Sequence, residues 1–169
     1  DFLGDKTAGL TVLDVVKGGE GNDTLVIDGD GVAITLGASE WTNVSGFETI
    51  RLIDNDVAGV LNGKDQVNAY NLILTNELIA ANGSAVTGGR SIAIVNDNDP
   101  QNDTIGSGNT GGTAPVRGVT IDATKLSASN SFSYNGEEAN NGAVGGSADR
   151  FIMSDANISG LAVIDGGAE

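Results

Sequence analysis

The run Gly18 to Val26, GGEGNDTLV, carries the densest chemical signal in the chain. Gly18, Gly19 and Gly21 permit backbone angles barred to other residues and let carbonyl oxygens converge with no Cβ in the way. Asp23 adds a short carboxylate at the edge of that turn, and Leu25 enters an apolar strand pointing inward. Carbonyls beside a carboxylate form a donor set for a hard cation; calcium takes 6 to 8 oxygens at about 2.3 to 2.6 Å. One turn offers too few, so a second must stack on it to complete the shell.

Weaker echoes of this run recur. Gln101 to Ile105, QNDTI, keeps Asn102, Asp103, Thr104 and Ile105; Gly145 to Ile152, GGSADRFI, keeps Gly145, Gly146, Asp149 and Phe151 but is one residue short. Asp165-Gly166-Gly167-Ala168 ends as another copy would begin. The candidate ligands are therefore the carbonyls of Gly19 and Gly21 and the carboxylates of Asp23, Asp28, Asp103, Asp149 and Asp165. For Asp103 and Asp149 an ordinary Asp-stabilised turn is an equal reading, and Asp28, flanking Gly29 with Asp30, belongs first to a turn and second to a shared ion site. Asn96-Asp97-Asn98-Asp99-Pro100 also crowds oxygens, but it lacks the glycine and glutamate positions of an EF-hand.

Composition narrows the chemistry. The 169 residues make one domain-sized unit, with 8 Lys and Arg against 23 Asp and Glu and a net charge of -15. That sign disfavours nucleic acid and anionic membrane surfaces. With no Cys and no His, thiolate or imidazole metal sites and Ser-His-Asp or Cys-His catalysis are excluded. Adjacent residues such as Glu137 and Glu138 rarely straddle a sugar bond with the separation a glycosidase requires. An enzyme is not expected. Asp outnumbers Glu 16 to 7, a bias toward the short carboxylate of turns and cation cages.

The elements that must hold such turns are short β-type runs bounded by Gly, Asn, Asp or Ser. They fall at 10–16, 24–27, 32–36, 47–53, 71–74, 92–95, 119–121, 132–134, 151–153 and 161–164. Asn76 to Ala81 is the only helix-period stretch, expected to make a single helical turn at most. Trp41, Val86 and Leu126 are expected as apolar plugs between strands, and Phe47, Phe132, Tyr134 and Phe151 as core. At a longer range, Phe2 to Leu13 (FLGDKTAGLTVL) resembles Ile152 to Ile164 (IMSDANISGLAVI), each followed by a Gly-Gly pair. The spacing predicts one unit, residues 1–169, of a longer or tandem-repeat protein. There is no run of the roughly 20 apolar residues that a bilayer span needs, so no membrane insertion is expected.

Gly18 to Val26 satisfies every fixed position of the nonapeptide G-G-x-G-x-D-x-U-x, and on those residues the chain resembles the RTX (repeats-in-toxin) family of secreted bacterial proteins. The resemblance implies an all-β fold, a parallel β-solenoid (β-roll or β-helix) with Gly/Asp-rich calcium-binding turns, with Ca2+ as cofactor. It also implies export by a type I system and folding triggered by calcium outside the cell. The perfect nonapeptide stands alone among longer repeats, which is more similar to RTX-type S-layer proteins and large adhesins than to tails of pure nonapeptides. The expected function is a secreted, calcium-binding structural protein of the cell surface, an S-layer or filament-like assembly that associates with itself or with neighbouring repeats. Two alternatives stay open: the stalk or ligand-binding module of an adhesin that meets a glycan or other cell-surface ligand, and a noncatalytic calcium module of a secreted enzyme.

Overall fold

The computed structural model describes residues 10–28, 33–53, 70–96, 118–136, 149–155 and 163–165. Their elements are β1 (Val16–Lys17), β2 (Thr24–Asp28), β3 (Ile34–Leu36), β4 (Val44–Ser45), β5 (Thr49–Ile53), β6 (Tyr70–Thr75), α1 (Asn76–Ala81), β7 (Ser84–Val86), β8 (Gly89–Asn96), β9 (Val119–Lys125), β10 (Asn130–Asn135), β11 (Arg150–Ile152) and β12 (Val163–Asp165). Val, Ile, Leu and Thr dominate the strands, and inward and outward residues alternate in them, as in the buried, half-buried alternation at the start of β6. That alternation is the period-2 signature of a pleated strand with one covered face.

Nearly all pairing is parallel. The largest sheet runs β12-β10-β8-β5-β2, the second β11-β9-β6-β3, and the smallest is β1-β4. Identical faces stack in register: Leu25 opposite Ile50, Ile50 opposite Ile94, Ile94 opposite Tyr134 and Tyr134 opposite Ile164. In the second sheet Leu36, Leu72, Ile121 and Phe151 form the equivalent column. These columns make the core, where Leu52, Leu72, Leu74, Ile92 and Ile121 are fully buried. Each such side chain stabilises the fold by about 1.5 to 3 kcal/mol.

The expected all-β solenoid, a β-roll or β-helix, is corrected by this topology. The strands do not form one roll but divide among three sheets. An antiparallel strand, β7, is added to β8, and α1 buries Leu78 and Ile79 in the core. Parallel strands divided among several sheets, with one helix among the described residues, stand closer to an α/β-like arrangement. The physical reason is that alternation tells which face of a strand is covered but not which sheet it joins. Parallel neighbours also need long connections, whose paths short repeats do not specify.

Three local expectations change as well. The segment at 76–81 is a six-residue α-helix, because Thr75 caps it, its Oγ1 accepting from the Leu78 N–H at 3.2 Å, and because packing covers its apolar side. Val86 is 39% exposed on β7 rather than a plug, since the hairpin lifts it off the core. Trp41 and Leu126 are buried as expected, with Phe47, Phe132 and Tyr134; Trp41 also donates Nε1–H to the Ile73 carbonyl at 3.1 Å. Residues 10–15 form a turn closed by Asp14, which accepts from Thr11, so of the first expected strand, 10–16, only Val16 is in one, β1. Among the described residues no helix is long and apolar enough to cross a membrane.

Candidate metal centre

Gly18 to Asp23 bends between β1 and β2, directly beside the bend between β4 and β5. Val16 and Lys17 pair with Val44 and Ser45, and the Gly18 N–H donates to the Ser45 carbonyl at 2.9 Å, so Gly18 lies against Gly46. The approach requires glycine on both sides. A Cβ on Gly18 would stand 2.0 Å from the Gly46 carbonyl oxygen, and Gly46, at φ +77°, would meet the Gly19 nitrogen at 2.9 Å. Gly19 and Gly21 have φ of 106° and 128°, in the region that disfavours side chains.

Asp23 closes the bend. Its N–H donates to Glu48 Oε2 at 2.8 Å, and its carbonyl accepts from the N–H groups of Glu48 and Thr49 at 3.1 and 3.2 Å. The carboxylate oxygen Oδ2 is buried and has no hydrogen-bond partner. An ionised oxygen removed from water without a partner is costly, and a cation on this turn would satisfy it. Glu48 falls outside the nonapeptide pattern, although the sequence carries a signal for it. Asp23-Thr24-Leu25 is repeated as Glu48-Thr49-Ile50, and the two segments pair in register from Thr24 opposite Thr49. The turn stacked against Gly18 to Asp23 is the one carrying Gly46 and Glu48.

Behind this bend the next layer is held by Asn82, which is 1% exposed. Its Oδ1 accepts from the Phe47 N–H at 3.2 Å, and its Nδ2 donates to the carbonyls of Val44 and Leu78 at 3.0 and 2.9 Å. Arg90 in turn donates to the carbonyls of Asn82 and Gly83. These bonds fix the position of Gly46 from below, so the stacked turns are rigidly supported.

The other candidates are placed apart. Asp149 precedes β11 and has donors on both oxygens: the Val119 N–H at 3.0 Å on Oδ1 and the buried Tyr134 hydroxyl at 2.7 Å on Oδ2. Its evident work is to tie β9, β10 and β11 together, the second sheet to the first. Asp165 ends β12, and its carbonyl accepts from the Gly136 N–H at 2.7 Å. Asp28 ends β2 opposite Ile53, its side chain outside the described part. Asp103, Asp30, Asp97 to Pro100, Glu137, Glu138, Gly145 and Gly146 lie outside the described residues. Among the described residues no three acidic side chains come together in a metal-ligand group. A cation at Asp23 would thus take most of its oxygens from backbone carbonyls, as calcium does readily.

No family model, no curated protein and no solved structure matches this chain.

Proposed function

We propose that the chain is a calcium-binding structural protein, secreted and carried on a bacterial cell surface in an S-layer or filament-like assembly, whose fold is tightened by the ion. The single observation that carries the reading is the buried, unpartnered Oδ2 of Asp23 on a glycine turn that stacks against a second glycine turn bearing Glu48. The charge of -15 supports it: without cations the carboxylates repel, and a divalent ion both neutralises them and joins adjacent turns. An ion bound only by the folded chain adds about 2.7 kcal/mol of stability at a hundredfold excess over its dissociation constant.

Calcium titration followed by circular dichroism and thermal melting tests the reading. Sheet signal and melting temperature are expected to rise with calcium in the wild-type chain, and Asp23→Asn is expected to lose that rise. A chelator-treated chain that keeps its full sheet signal and an unchanged melting temperature overturns it.

A further inference from the structure

The two ends of the strand stack are unlike its interior. Among the described residues, no strand pairs with the outer edges of β2 and β3 at one end or of β11 and β12 at the other. Large apolar side chains that face solvent stand on these edge strands, Val26 on β2 and Val163 and Ile164 on β12; among the described residues the others are Val12, Leu13 and Val15 before β1 and Val86 on β7. An unpaired edge with apolar side chains is a template for another strand.

The hydrogen-bond phase of the two ends is complementary. Thr49 N–H donates to the Asp23 carbonyl, so along β2 the alternate residues Leu25 and Ile27 face β5, and Thr24 and Val26 present their backbone groups outward. At the other end Gly136 N–H donates to the Asp165 carbonyl, so Val163 and Asp165 face β10 and Ile164 faces outward. In a parallel pair an outward residue bonds the two residues flanking its partner. Ile164 of one copy would therefore bond Thr24 and Val26 of the next and stand opposite Leu25. That is the register of the inward column that already runs Leu25, Ile50, Ile94, Tyr134, Ile164. The second sheet agrees. Tyr70 N–H donates to the Gly118 carbonyl, which by the same alternation leaves Phe151 and Thr35 facing outward and sets Phe151 opposite Leu36 of the next copy.

We propose that the partner of these edges is a second copy of this chain, added end to end with β12 against β2 and β11 against β3, so that both parallel sheets continue across the junction. It rests on the reading of the chain as an assembling structural protein and names the contact by which it assembles. The contact joins two different surfaces and does not close on itself, so it extends a filament.

Val26→Pro and Ile164→Pro each remove an outward N–H from one end without touching the bonds to β5 or β10. Val26→Lys and Ile164→Lys are the milder alternatives should a proline variant lose its sheet signal. Sedimentation of the full 169-residue chain in calcium is expected to show oligomers that lengthen with concentration, and each variant alone is expected to be monomeric. An equal mixture of a position-26 variant and a position-164 variant is expected to stop at dimers, because each keeps one intact and opposite end. A wild-type chain that is monomeric at every concentration while its sheet signal is intact overturns the proposal, as do variants that assemble like the wild type. A variant at one position that dimerises alone overturns it in favour of a symmetric contact. The same samples in chelator separate the two readings: assembly undiminished without calcium sinks the calcium reading and keeps this one, and a calcium response in a strictly monomeric chain does the reverse.

Discussion

Asp23 and Asp149 each stand one residue before a parallel strand, and the molecule treats them in opposite ways. Asp149 receives the Tyr134 hydroxyl and the Val119 N–H, one on each oxygen. Asp23 keeps a buried oxygen that nothing donates to. Both sit in the same kind of glycine-and-aspartate motif, so the motif does not decide which donors reach the carboxylate. The supply of donors from neighbouring strands does: at Asp149 the second sheet and Tyr134 close in, and at Asp23 the surroundings are glycine backbone and a second carboxylate.

The sharpest way to break this contrast is Asp149→Ala, which strips the acceptor from a buried hydroxyl and a backbone N–H. It should cost about 2 to 6 kcal/mol, two unsatisfied donors at about 1 to 3 each, read by urea unfolding and equal with or without calcium. Asp149→Asn, which keeps one acceptor oxygen, should recover part of the loss. Should the cost of Asp149→Ala vanish in chelator, Asp149 would be a ligand and the contrast false. Next comes Gly18→Ala, whose methyl has backbone where it needs space; about 1 to 3 kcal/mol is expected from overpacking, with weakened calcium response because the two turns are pushed apart.

Asp23→Asn should alter stability in chelator by less than about 1 kcal/mol, since no hydrogen bond to Oδ2 is lost. It should nonetheless abolish the calcium-induced gain in melting temperature. The smallest effect is expected at Asp122, a carboxylate satisfied by its near neighbour Thr124 on the same strand, β9. The Thr124 hydroxyl, then the Thr124 N–H, hold its carboxyl below the ordinary 3.8, against a desolvation that raises it, with Lys125 assisting. Because the folded form has the lower value, its contribution is present above the unfolded value and is lost as pH falls through the folded one. Thr124→Val should flatten the dependence of stability on pH below about 4, measured by melting across an acid series, and leave the calcium response unchanged. A calcium response that moves with Thr124→Val would show that the effects at Asp23 and Asp122 are not separate.

Much of the strand inventory was legible. The runs at 24–27, 47–53, 71–74, 92–95, 119–121 and 132–134 fall on β2, β5, β6, β8, β9 and β10, because β-branched and apolar residues between turn formers leave few alternatives. β4 and β7 were not legible, being two and three residues long. The candidate site was half legible. Gly18 to Asp23 announced its turn, and Glu48 stayed hidden because an acidic residue before Thr and Ile, without the glycine triplet, looks like an ordinary strand start. The division into three sheets was misread as a single roll, since repeats that share a pattern need not share a sheet.

By itself the sequence determined most of the strand positions, the glycine bends and the surplus of negative charge, all consequences of short-range sterics and composition. The tertiary structure alone decided which strands meet, that Gly46 rather than another glycine faces Gly18, and which aspartate is left with an unsatisfied oxygen. Those outcomes depend on groups brought from far along the chain, such as Glu48 to Asp23 across 25 residues and Val119 to Asp149 across 30, and only the folded packing of the sheets sets such distances.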